Sequence, residues 1–400
     1  MIPATSTRRR VHSATPATVR RVNRYIVLNL VRQHQPVSRA RLAELTGIYR
    51  SSISAIVDEL LGEKLLVERL SSPSGRGRVP IQLHLNPPGR RVLGISVRPF
   101  QSIAATAGLD GKIDRRASFR TPRKPEMLMR EIVQAVERLN GASHQGGPAA
   151  FQQVGIGMPG LVNTTTGVIA MIPSLPEYSG FELGPEVKRQ LGVPALVDND
   201  CNVGALGELW LNPAEIAALR DFVFLEIGDV GVGAGIVLGG SLYRGQDSTW
   251  AGEFGHMTID PKGTLCRCGR RGCWERYVCD EATWAAFDAG RPYTPSDFDE
   301  LIRLAIEERD GRALRAWRQT AEFLSLGIAN ICCSLNPQVV LVSGEITRVW
   351  TLLEDIVRTR WASRNLAIPV RPALMPLDEL CAQGAVALAL STYFGAPKLG

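Results

Sequence analysis

The first ninety residues space their apolar positions with the period of helices and then with the period of strands. From Val19 the stretch VRRVNRYIVLNLVRQHQ places Val22, Tyr25, Ile26 and Leu30 on one helical face. A stripe of this kind predicts a helix that buries this face and exposes the opposite one.

A second, shorter helix with the sequence RARLAELT is predicted after a turn at Pro36. Ser38 precedes this helix and suits the N-cap position, where a side-chain oxygen accepts a bond from a backbone N–H. Gly47 follows the helix and can adopt the left-handed conformation that ends helices at low cost. The chain is then expected to reverse into a third helix.

The third predicted helix, within YRSSISAIVDELLGEKLL, has one apolar face and one face of small side chains. The apolar positions are Ile53, Ile56, Val57, Leu60 and Leu61. The opposite face carries Ser51, Ser54, Ala55 and Asp58. Small side chains let a helix bring its backbone close to the bases of the major groove, and Arg50 at the helix start would reach phosphate or guanine. The alternative is a three-helix packing unit whose outer face is solvated.

Two strand-like runs follow in VERLSSPSGRGRVPIQLHLN, on either side of a tip rich in Gly, Pro and Ser. This pattern predicts the wing of a winged helix-turn-helix. Arg76 and Arg78 flank a glycine at the tip, and such arginines can enter a narrow minor groove, where the potential is most negative. The alternative reading of the tip is a flexible linker.

After Arg91 the pattern changes to buried strands that alternate with helices, which is typical of an α/β domain. Four Gly-rich or polar turns each follow an apolar run, at the strand ends where α/β folds bind ligands. They are GIGMPG at 155–160, ALVDNDCNVGALGE at 195–208, LEIGDVGVGAGIVLGG at 225–240 and VVLVSGE at 339–345.

Composition and charge then narrow the class of protein. The longest apolar run contains Glu226 and Asp229, so we expect no membrane span, and no secretory signal is evident, which favours the cytoplasm. Residues 1–90 hold 15 Lys and Arg against 5 Asp and Glu, whereas the remainder holds 31 against 34. An excess of positive charge confined to one end suits a polyanion such as nucleic acid.

One imidazole and three thiols crowd into HMTIDPKGTLCRCGRRGCWE, residues 256–275. His256, Cys266, Cys268 and Cys273 make a tetrahedral ligand set that zinc favours and that needs no outside ligand, so the predicted site is structural. A disulfide explains the segment poorly, because three cysteines leave one unpaired. The other cysteines lie in apolar segments and are expected in the core: Cys201, Cys279, Cys332, Cys333 and Cys381.

SRARLAELTGIYRSSISAIVDELL, the Ser-Gly-Arg-Gly-Arg segment, the four turns and the cysteine segment together resemble the ROK family of sugar-responsive regulators and sugar kinases. The resemblance implies an α/β fold with an N-terminal winged helix-turn-helix, followed by a two-lobed actin- and hexokinase-like domain with a structural zinc site. The expected divisions are a disordered basic arm over 1–17, a DNA-binding domain with its wing over 18–90, and an effector-binding ROK domain over 91–400.

The resemblance also assigns residues to sugar binding, with carboxylates that accept hydrogen bonds from adjacent hydroxyls. The sugar contacts it implies are Gly160, Asn199, Asp200, Glu253, His256 and Glu275. Alone, Glu253 or Glu275 would pass for helix-end or surface charge. The DNA contacts expected from the basic end are Arg50, Ser51, Ser52, Ser54, Arg76 and Arg78.

The main alternative function is an ATP-dependent ROK sugar kinase, in which Asp200 would be the general base. Kinases of the family carry Asp followed by Gly-Gly-Thr after the first strand, where this chain reads GISVRPFQ. Ser96 cannot replace that carboxylate, Pro99 lacks an N–H, and Phe100 is expected to fill the phosphate space. The other departures are Asp229 in place of a threonine, and Ser343 and Glu345 in the fourth turn.

The sequence therefore predicts a non-enzymatic repressor with a vestigial base, one zinc ion per chain and a sugar or sugar-derivative effector. Its other expected partners are double-stranded operator DNA and further copies of the chain, as a homodimer or homotetramer, with no membrane partner. Sugar would close the cleft and shift the paired DNA-binding domains so that half-site spacing is lost. A third hypothesis is a zinc-stabilised DNA-binding protein whose α/β domain is purely structural.

Overall fold

In the computed structural model the chain divides into a first unit, Met1–Arg90 with Gly108–Asp110 and Leu390–Gly400, and a second unit, Arg91–Ala107 with Gly111–Ala389. The described residues are 15–70, 81–140, 151–173, 175–211, 219–246, 250–362 and 368–395. The division expected at Arg90 stays a prediction, and most of the expected basic arm lies outside the described residues.

The first unit contains three helices and a two-stranded antiparallel sheet among its described residues. They are α1 (Pro16–His34), α2 (Arg39–Thr46), α3 (Arg50–Gly62), β1 (Leu66–Leu70) and β2 (Ile81–Leu85). The tip between the strands, with Arg76 and Arg78, lies outside the described residues.

Helix α1 begins earlier than the sequence predicted and buries a different set of side chains. The hydroxyl of Thr15 accepts from the Thr18 N–H, and Pro16 occupies the first helical turn, where its missing N–H costs nothing. The buried residues are Val27, Leu28 and Val31, whereas the expected face is only partly buried. Packing against α3 and β2 selects this more uniformly aliphatic stripe.

The short helix α2 has the two ends that the sequence predicted. The Ser38 side chain accepts from the Arg41 N–H, and Gly47 has a left-handed φ of 69°. Helix α3 buries Ile53, Ile56, Val57 and Leu60 as expected, while Leu61 is only partly buried. The predicted helix-turn-helix pattern of α2 and α3 is therefore confirmed at the level of its helices and caps.

The second unit contains two five-stranded sheets with the same topology. In each sheet the first three strands along the chain form an antiparallel meander. The first of these strands also pairs in parallel with the fourth strand, and the fourth pairs in parallel with the fifth. The first sheet has the order β5-β4-β3-β6-β9, from β3 (Val92–Ser96), β4 (Gln101–Ala107), β5 (Ile113–Arg120), β6 (Gln153–Met158) and β9 (Ala195–Asn199). The second has the order β12-β11-β10-β13-β14, from β10 (Phe222–Ile227), β11 (Val232–Leu238), β12 (Ser241–Tyr243), β13 (Val339–Ser343) and β14 (Val370–Pro372).

Helices and one small hairpin complete the described part of this unit. The hairpin is β7 (Leu161–Asn163) with β8 (Val168–Met171). The helices are α4 (Pro125–Asn140), α5 (Leu183–Leu191), α6 (Asp200–Leu211), α7 (Glu275–Val278), α8 (Asp280–Phe287), α9 (Pro295–Ile306), α10 (Gly311–Leu335), α11 (Trp350–Ala362) and α12 (Leu377–Phe394), whose residues from Leu390 onward belong to the first unit. The predicted α/β class is confirmed.

Each sheet has its own apolar core, so the parallel strands hold the intervening turns in fixed positions. Strands β3 and β6 pack with α4 and α5, while β10 and β13 pack with α8, α9 and α10. Among the described residues, no helix is both long and apolar enough to cross a membrane.

The cysteines lie largely where the sequence placed them. Cys201, Cys279, Cys332 and Cys381 are buried and unpaired, as expected of core residues. Cys333 is exposed, so its predicted core position is wrong. It follows Cys332 in α10, and successive residues of a helix point about 100° apart, so the two thiols lie on different faces.

Candidate metal centre and ligand site

The structure brings together the four residues that the sequence predicted as metal ligands. The ligand atoms of His256, Cys266, Cys268 and Cys273 all lie within 4.8 Å of one another. Cys266 Sγ is 3.8 Å from His256 Nδ1, and Cys268 Sγ is 3.6 Å from Cys273 Sγ. Three thiols and one imidazole at this separation can surround a single tetrahedral ion, and zinc fits that donor set.

Two glycines let the chain turn tightly enough to collect these thiols. Gly269 and Gly272 have left-handed φ angles of 85° and 69°. A Cβ on Gly272 would lie 1.6 Å from the carbonyl oxygen of Asp260, so no larger residue fits there. The turn closes with a 2.7 Å bond from the Cys266 N–H to the Arg270 carbonyl.

The core of the second unit anchors the end of this segment. Trp274, directly after the last thiol, is fully buried, and its Nε1 donates to the Phe323 carbonyl at 2.8 Å. Gly327 in α10 lies so close to this indole that an added Cβ would be 1.9 Å away. The segment is therefore tied to a rigid helix at Trp274, and the following residue, Glu275, inherits a fixed position.

The two ring nitrogens of His256 face different groups. Nδ1 lies on the side of the Cys266 thiol and is 3.7 Å from Glu275 Oε1. Nε2 lies 3.8 Å from Glu253 Oε2. An ion bound at Nδ1 would leave Nε2 as an oriented N–H donor beside the Glu253 carboxylate.

Three carboxylates assigned to sugar binding act on one another electrostatically. Burial, together with the nearby charges of Asp200 and Glu275, raises the pKa of Glu253 to about 7. Burial and the charge of Glu226 raise the pKa of Asp200 to about 6, against the opposing effect of Arg98. Asp200 and Glu253 therefore lie in one region of the second unit, where burial and nearby like charges disfavour the ionised form of both.

Asn199 and Gly160 meet at the ends of two parallel strands. The Asn199 side chain donates to the Gly160 carbonyl at 3.0 Å and accepts from the Cys201 N–H at 2.9 Å, at the start of α6. Gly160 has a φ of 82°, and a Cβ there would lie 2.4 Å from the Met171 carbonyl. These contacts fix the turn after β6 beside Asp200.

The turn after β3 holds an ion pair that sequence reasoning missed. Arg98 Nη2 donates to Glu226 Oε1 at 2.8 Å, and their side chains are only 15% and 8% exposed. Arg98 Nε also lies 3.4 Å from Asp378 Oδ1. Phe100, expected to fill the phosphate space, is 58% exposed, and its role there stays a prediction. The signal for the pair was a glutamate inside the otherwise apolar strand β10.

Backbone groups close the turn after β10, the third of the four turns. The N–H groups of Asp280 and Glu281, in the first turn of α8, donate to the carbonyls of Gly228 and Asp229. Amides at a helix start are the usual donors to a phosphate group. Here the chain's own carbonyls occupy two of them, and the Tyr293 hydroxyl donates to Asp229 Oδ1 at 3.0 Å.

The predicted DNA-contacting side chains that can be described lie on α3. Arg50, Ser51 and Ser52 are exposed and Ser54 is partly exposed. Tyr49, just before the helix, is 84% exposed and was not singled out from the sequence. Asp58 on the same face pairs with Arg39 at 2.8 Å, which offsets the one acidic charge predicted on that face.

Comparison with known proteins adds a second line of evidence. The ROK family model matches residues 98–392 of the chain. The xylose repressor of Caldicellulosiruptor bescii is 25% identical over 400 residues, which span 95% of this chain and 98% of that protein.

Two solved structures are also similar to this chain in three dimensions. A ROK family transcriptional regulator, described as a homologue of the E. coli MLC protein, has a TM-score of 0.75 and 25% identity over 94% of this chain and 99% of its own. A ROK family glucokinase from Streptomyces griseus, in complex with glucose and AMPPNP, has a TM-score of 0.63 and 25% identity over 75% of this chain and 99% of its own.

Proposed function

The chain belongs to the ROK family, and from that premise we propose that it is a transcriptional repressor that a sugar or sugar derivative releases from its operator. The observation that carries the proposal is that one chain combines a candidate DNA-binding unit with a candidate sugar-binding unit. A basic first unit presents an exposed helix face of small residues, and the second unit gathers carboxylates near two described turns, after β3 and β10, whose polar groups pair within the chain. The likeness to a xylose repressor and to a ROK regulator over nearly the whole chain supports it.

DNA recognition is assigned to the exposed face of α3 and to the wing. Arg50, Ser51, Ser52 and Ser54 would face the major groove, and Arg76 and Arg78, outside the described residues, would reach the minor groove. Phosphate contacts by the excess arginines would supply affinity that is not sequence-specific. We propose that the chain acts as a homodimer or homotetramer, since paired half-sites suit this type of motif.

Sugar recognition is assigned to Gly160, Asn199, Asp200, Glu253, His256 and Glu275. Adjacent sugar hydroxyls both donate and accept, so spaced carboxylates and one ring N–H can discriminate between epimers. A zinc ion held by His256, Cys266, Cys268 and Cys273 would supply a rigid tie that fixes the His256 ring and the chain leading to Glu275. Each of these roles is a proposal that mutation can test.

Loss of phosphoryl transfer is the third part of the proposal. Arg98 lies in the turn where kinases of the family cradle phosphate and pairs with Glu226 of β10, and a triphosphate would meet the buried Glu226 carboxylate and Asp229. Two unit charges about 4 Å apart repel by roughly 4 kcal/mol at an effective dielectric of 20. Asp200 then contributes a hydrogen-bond acceptor rather than a base.

A second candidate function is sugar phosphorylation, favoured by the likeness to a glucokinase and by a carboxyl whose pKa of about 6 suits a base. A gel-shift titration of operator DNA against a panel of sugars, run beside an assay for ADP, separates the two. Release of DNA by one sugar without ADP supports the repressor. ADP formed in proportion to one sugar supports the kinase, and no response to any sugar contradicts both.

Arg50→Ala is expected to weaken binding of the cognate operator by about 10- to 100-fold, because a guanidinium at the start of α3 is lost from the groove. Binding to random DNA should fall much less. Arg20→Ala is the matched control, since Arg20 is an exposed arginine of α1 that pairs with Glu59. Gel shifts at a fixed salt concentration measure the affinity of each variant for cognate and for random DNA. Equal losses on cognate and random DNA would show that Arg50 contacts only phosphate.

A further inference from the structure

A buried ion pair beside the proposed sugar contacts joins the two sheets of the second unit. Asp198, the residue before Asn199 in β9, is 1% exposed, and its Oδ2 accepts from Arg244 Nε at 2.7 Å. Arg244 directly follows β12, so the pair connects an edge strand of the first sheet with an edge strand of the second. The two residues are 46 positions apart, and neither is among the proposed sugar contacts.

The Asp198 carboxylate also holds the turn that carries two proposed sugar contacts, Asn199 and Asp200. Its Oδ1 accepts from the Asn199 N–H and from the Asn202 side chain, both at 2.8 Å. Together with Arg244, these groups give one buried carboxylate three donors, as buried polar groups require. Asp198 is therefore occupied within the chain, and its role is to position its neighbours.

Strand β11 brings Asp200 and Glu253 to neighbouring places. A Cβ added at Gly235 would lie 2.4 Å from the carbonyl oxygen of Cys201, so the start of α6 packs directly on the backbone of this strand. A Cβ added at Gly252, the residue before Glu253, would lie 2.2 Å from the preceding carbonyl of β11. Proposed sugar contacts from two separate segments therefore meet at adjacent residues of one strand.

The chain between Arg244 and Glu253 returns beside its own start. Gly245 has a left-handed φ of 71°, and a Cβ there would lie 3.4 Å from the Ala251 Cβ. Ala251 precedes Glu253 by two residues. Arg244 therefore links the carboxylate that holds Asn199 to the base of the segment that leads to Glu253.

We propose that Arg244 is a positioning residue for the effector. By holding Asp198, it fixes the end of β9 relative to the segment that leads to Glu253. This role rests on the proposed sugar-binding function and adds to it a residue that acts through another side chain. Epimers differ only in the direction of one hydroxyl, so displaced acceptors should lose discrimination between epimers as well as affinity.

The experiment is calorimetric titration of the full-length protein and its variants with glucose, mannose, galactose, xylose and lyxose. Arg244→Met keeps the length of the side chain but removes the donor, and it should weaken binding of the preferred sugar by about 10- to 100-fold. The affinity ratio between the preferred sugar and its epimer should also move toward one. Arg244→Gln places an amide N–H where Nε stands and should recover most of the affinity and of the ratio.

Asp198→Asn tests whether Arg244 acts through the carboxylate. It keeps the shape and the Oδ1 acceptor but cannot accept from Arg244, so it should lose the same affinity and the same epimer ratio. The two single variants and the double variant Asp198→Asn/Arg244→Met form a cycle of sugar affinities. We expect the double variant to bind sugar about as weakly as the weaker single variant, because both changes break one contact.

Thermal unfolding without sugar shows which variants are folded at the titration temperature. If Arg244→Met is not, Asp198→Asn and Arg244→Gln carry the same comparison. Arg189→Met is the control, because it breaks an exposed ion pair with Glu186 in α5, and it should keep the parent's affinity and epimer ratio. Operator binding without sugar, measured by gel shift, should be unchanged in every folded variant.

Three results would overturn the role of Arg244. They are unchanged sugar binding in a folded variant, affinities that fall by one factor for every sugar, and losses that multiply in the double variant. An equal factor would show that the ion pair only stabilises the fold, since a smaller folded fraction lowers every apparent affinity alike. All three leave the repressor proposal intact if a sugar still releases operator DNA. If no sugar of this panel binds the parent or releases DNA, the proposed function fails and the role of Arg244 fails with it.

Discussion

Cys273→Ser is expected to remove the bound metal and to destabilise the second unit by several kcal/mol. Structural zinc contributes roughly 10–16 kcal/mol to the folding of isolated finger peptides, and part of that would be lost here. Cys273 is fully buried beside Trp274, so its loss frees the segment that leads to Glu275. The measurements are metal content by elemental analysis and thermal unfolding with and without a strong chelator.

Cys333→Ser is the control for this prediction, because Cys333 is an exposed thiol away from the cluster. It should keep one zinc per chain and the parent's unfolding temperature. In the parent, chelator should reproduce the effect of Cys273→Ser, and in the variant it should add nothing. Purified parent protein that contains no metal and whose unfolding ignores chelators would refute the metal centre.

Loss of Cys273 should also weaken sugar binding, because the cysteine segment contacts Glu275, a proposed sugar ligand. Partial burial acts to raise the pKa of the Cys268 thiol, but hydrogen bonds with Arg270, Cys266 and Cys273 together outweigh it and lower the pKa to about 7. Cys266, by contrast, lies 2.9 Å from Glu275 Oε1, and burial raises its pKa. The contact ties the position of Glu275 to that of the cluster, so loss of a cluster ligand should displace the carboxylate that is proposed to bind sugar.

Local signals predicted the elements whose ends are determined by neighbouring residues. Ser38 and Gly47 bracket α2 because an N-cap hydroxyl and a left-handed glycine act within one turn of the chain. The thiol spacing predicted the metal cluster for the same reason, since Cys266 to Cys273 span a single tight turn. The α/β class followed from strands that alternate with helices.

Contacts between residues distant in sequence could not be predicted in this way. The buried face of α1 depends on α3 and β2, and the two faces differ too little in hydrophobicity to be ranked from the sequence. Arg98 and Glu226 are 128 residues apart, so nothing local marks them as partners. Asp280 looks like an ordinary acidic residue at a helix start, and only its burial among other carboxylates makes it unusual.

The charged groups at the turn after β3 neutralise one another. An arginine after β3 would attract phosphate if it were unpaired, but Glu226 and Asp378 neutralise it. The pair also places a fixed contact between β10 and the turn after β3, in the sheets that carry the proposed sugar residues. Under the proposed repressor function, these internal carboxylates would neutralise Arg98 in place of a phosphate.

Asp200→Asn is expected to make the repressor unresponsive to its effector while leaving operator binding unchanged. The substitution keeps the shape of the side chain and removes the charge that accepts sugar hydroxyls, so effector affinity should fall by about 100-fold or more. The coupling free energy between effector binding and DNA binding is typically about 1–3 kcal/mol. At ordinary sugar concentrations the variant would bind too little sugar for this coupling to release the DNA. Gel shifts with and without the effector measure both quantities on one protein.

Stability against pH shows whether Asp200→Asn is folded and whether the carboxyl ionises where expected. The folded-state pKa of about 6 exceeds the usual 3.8, so the folded protein holds an extra proton between these values. The parent's free energy of unfolding should therefore lose this contribution as pH rises from about 4 to 6, whereas the variant should not. Asp355→Asn, at an exposed aspartate of α11, should behave as the parent. A variant that is folded yet still releases operator DNA at the parent's sugar concentration would show that Asp200 does not bind the effector, and would favour the hypothesis of a purely structural α/β domain.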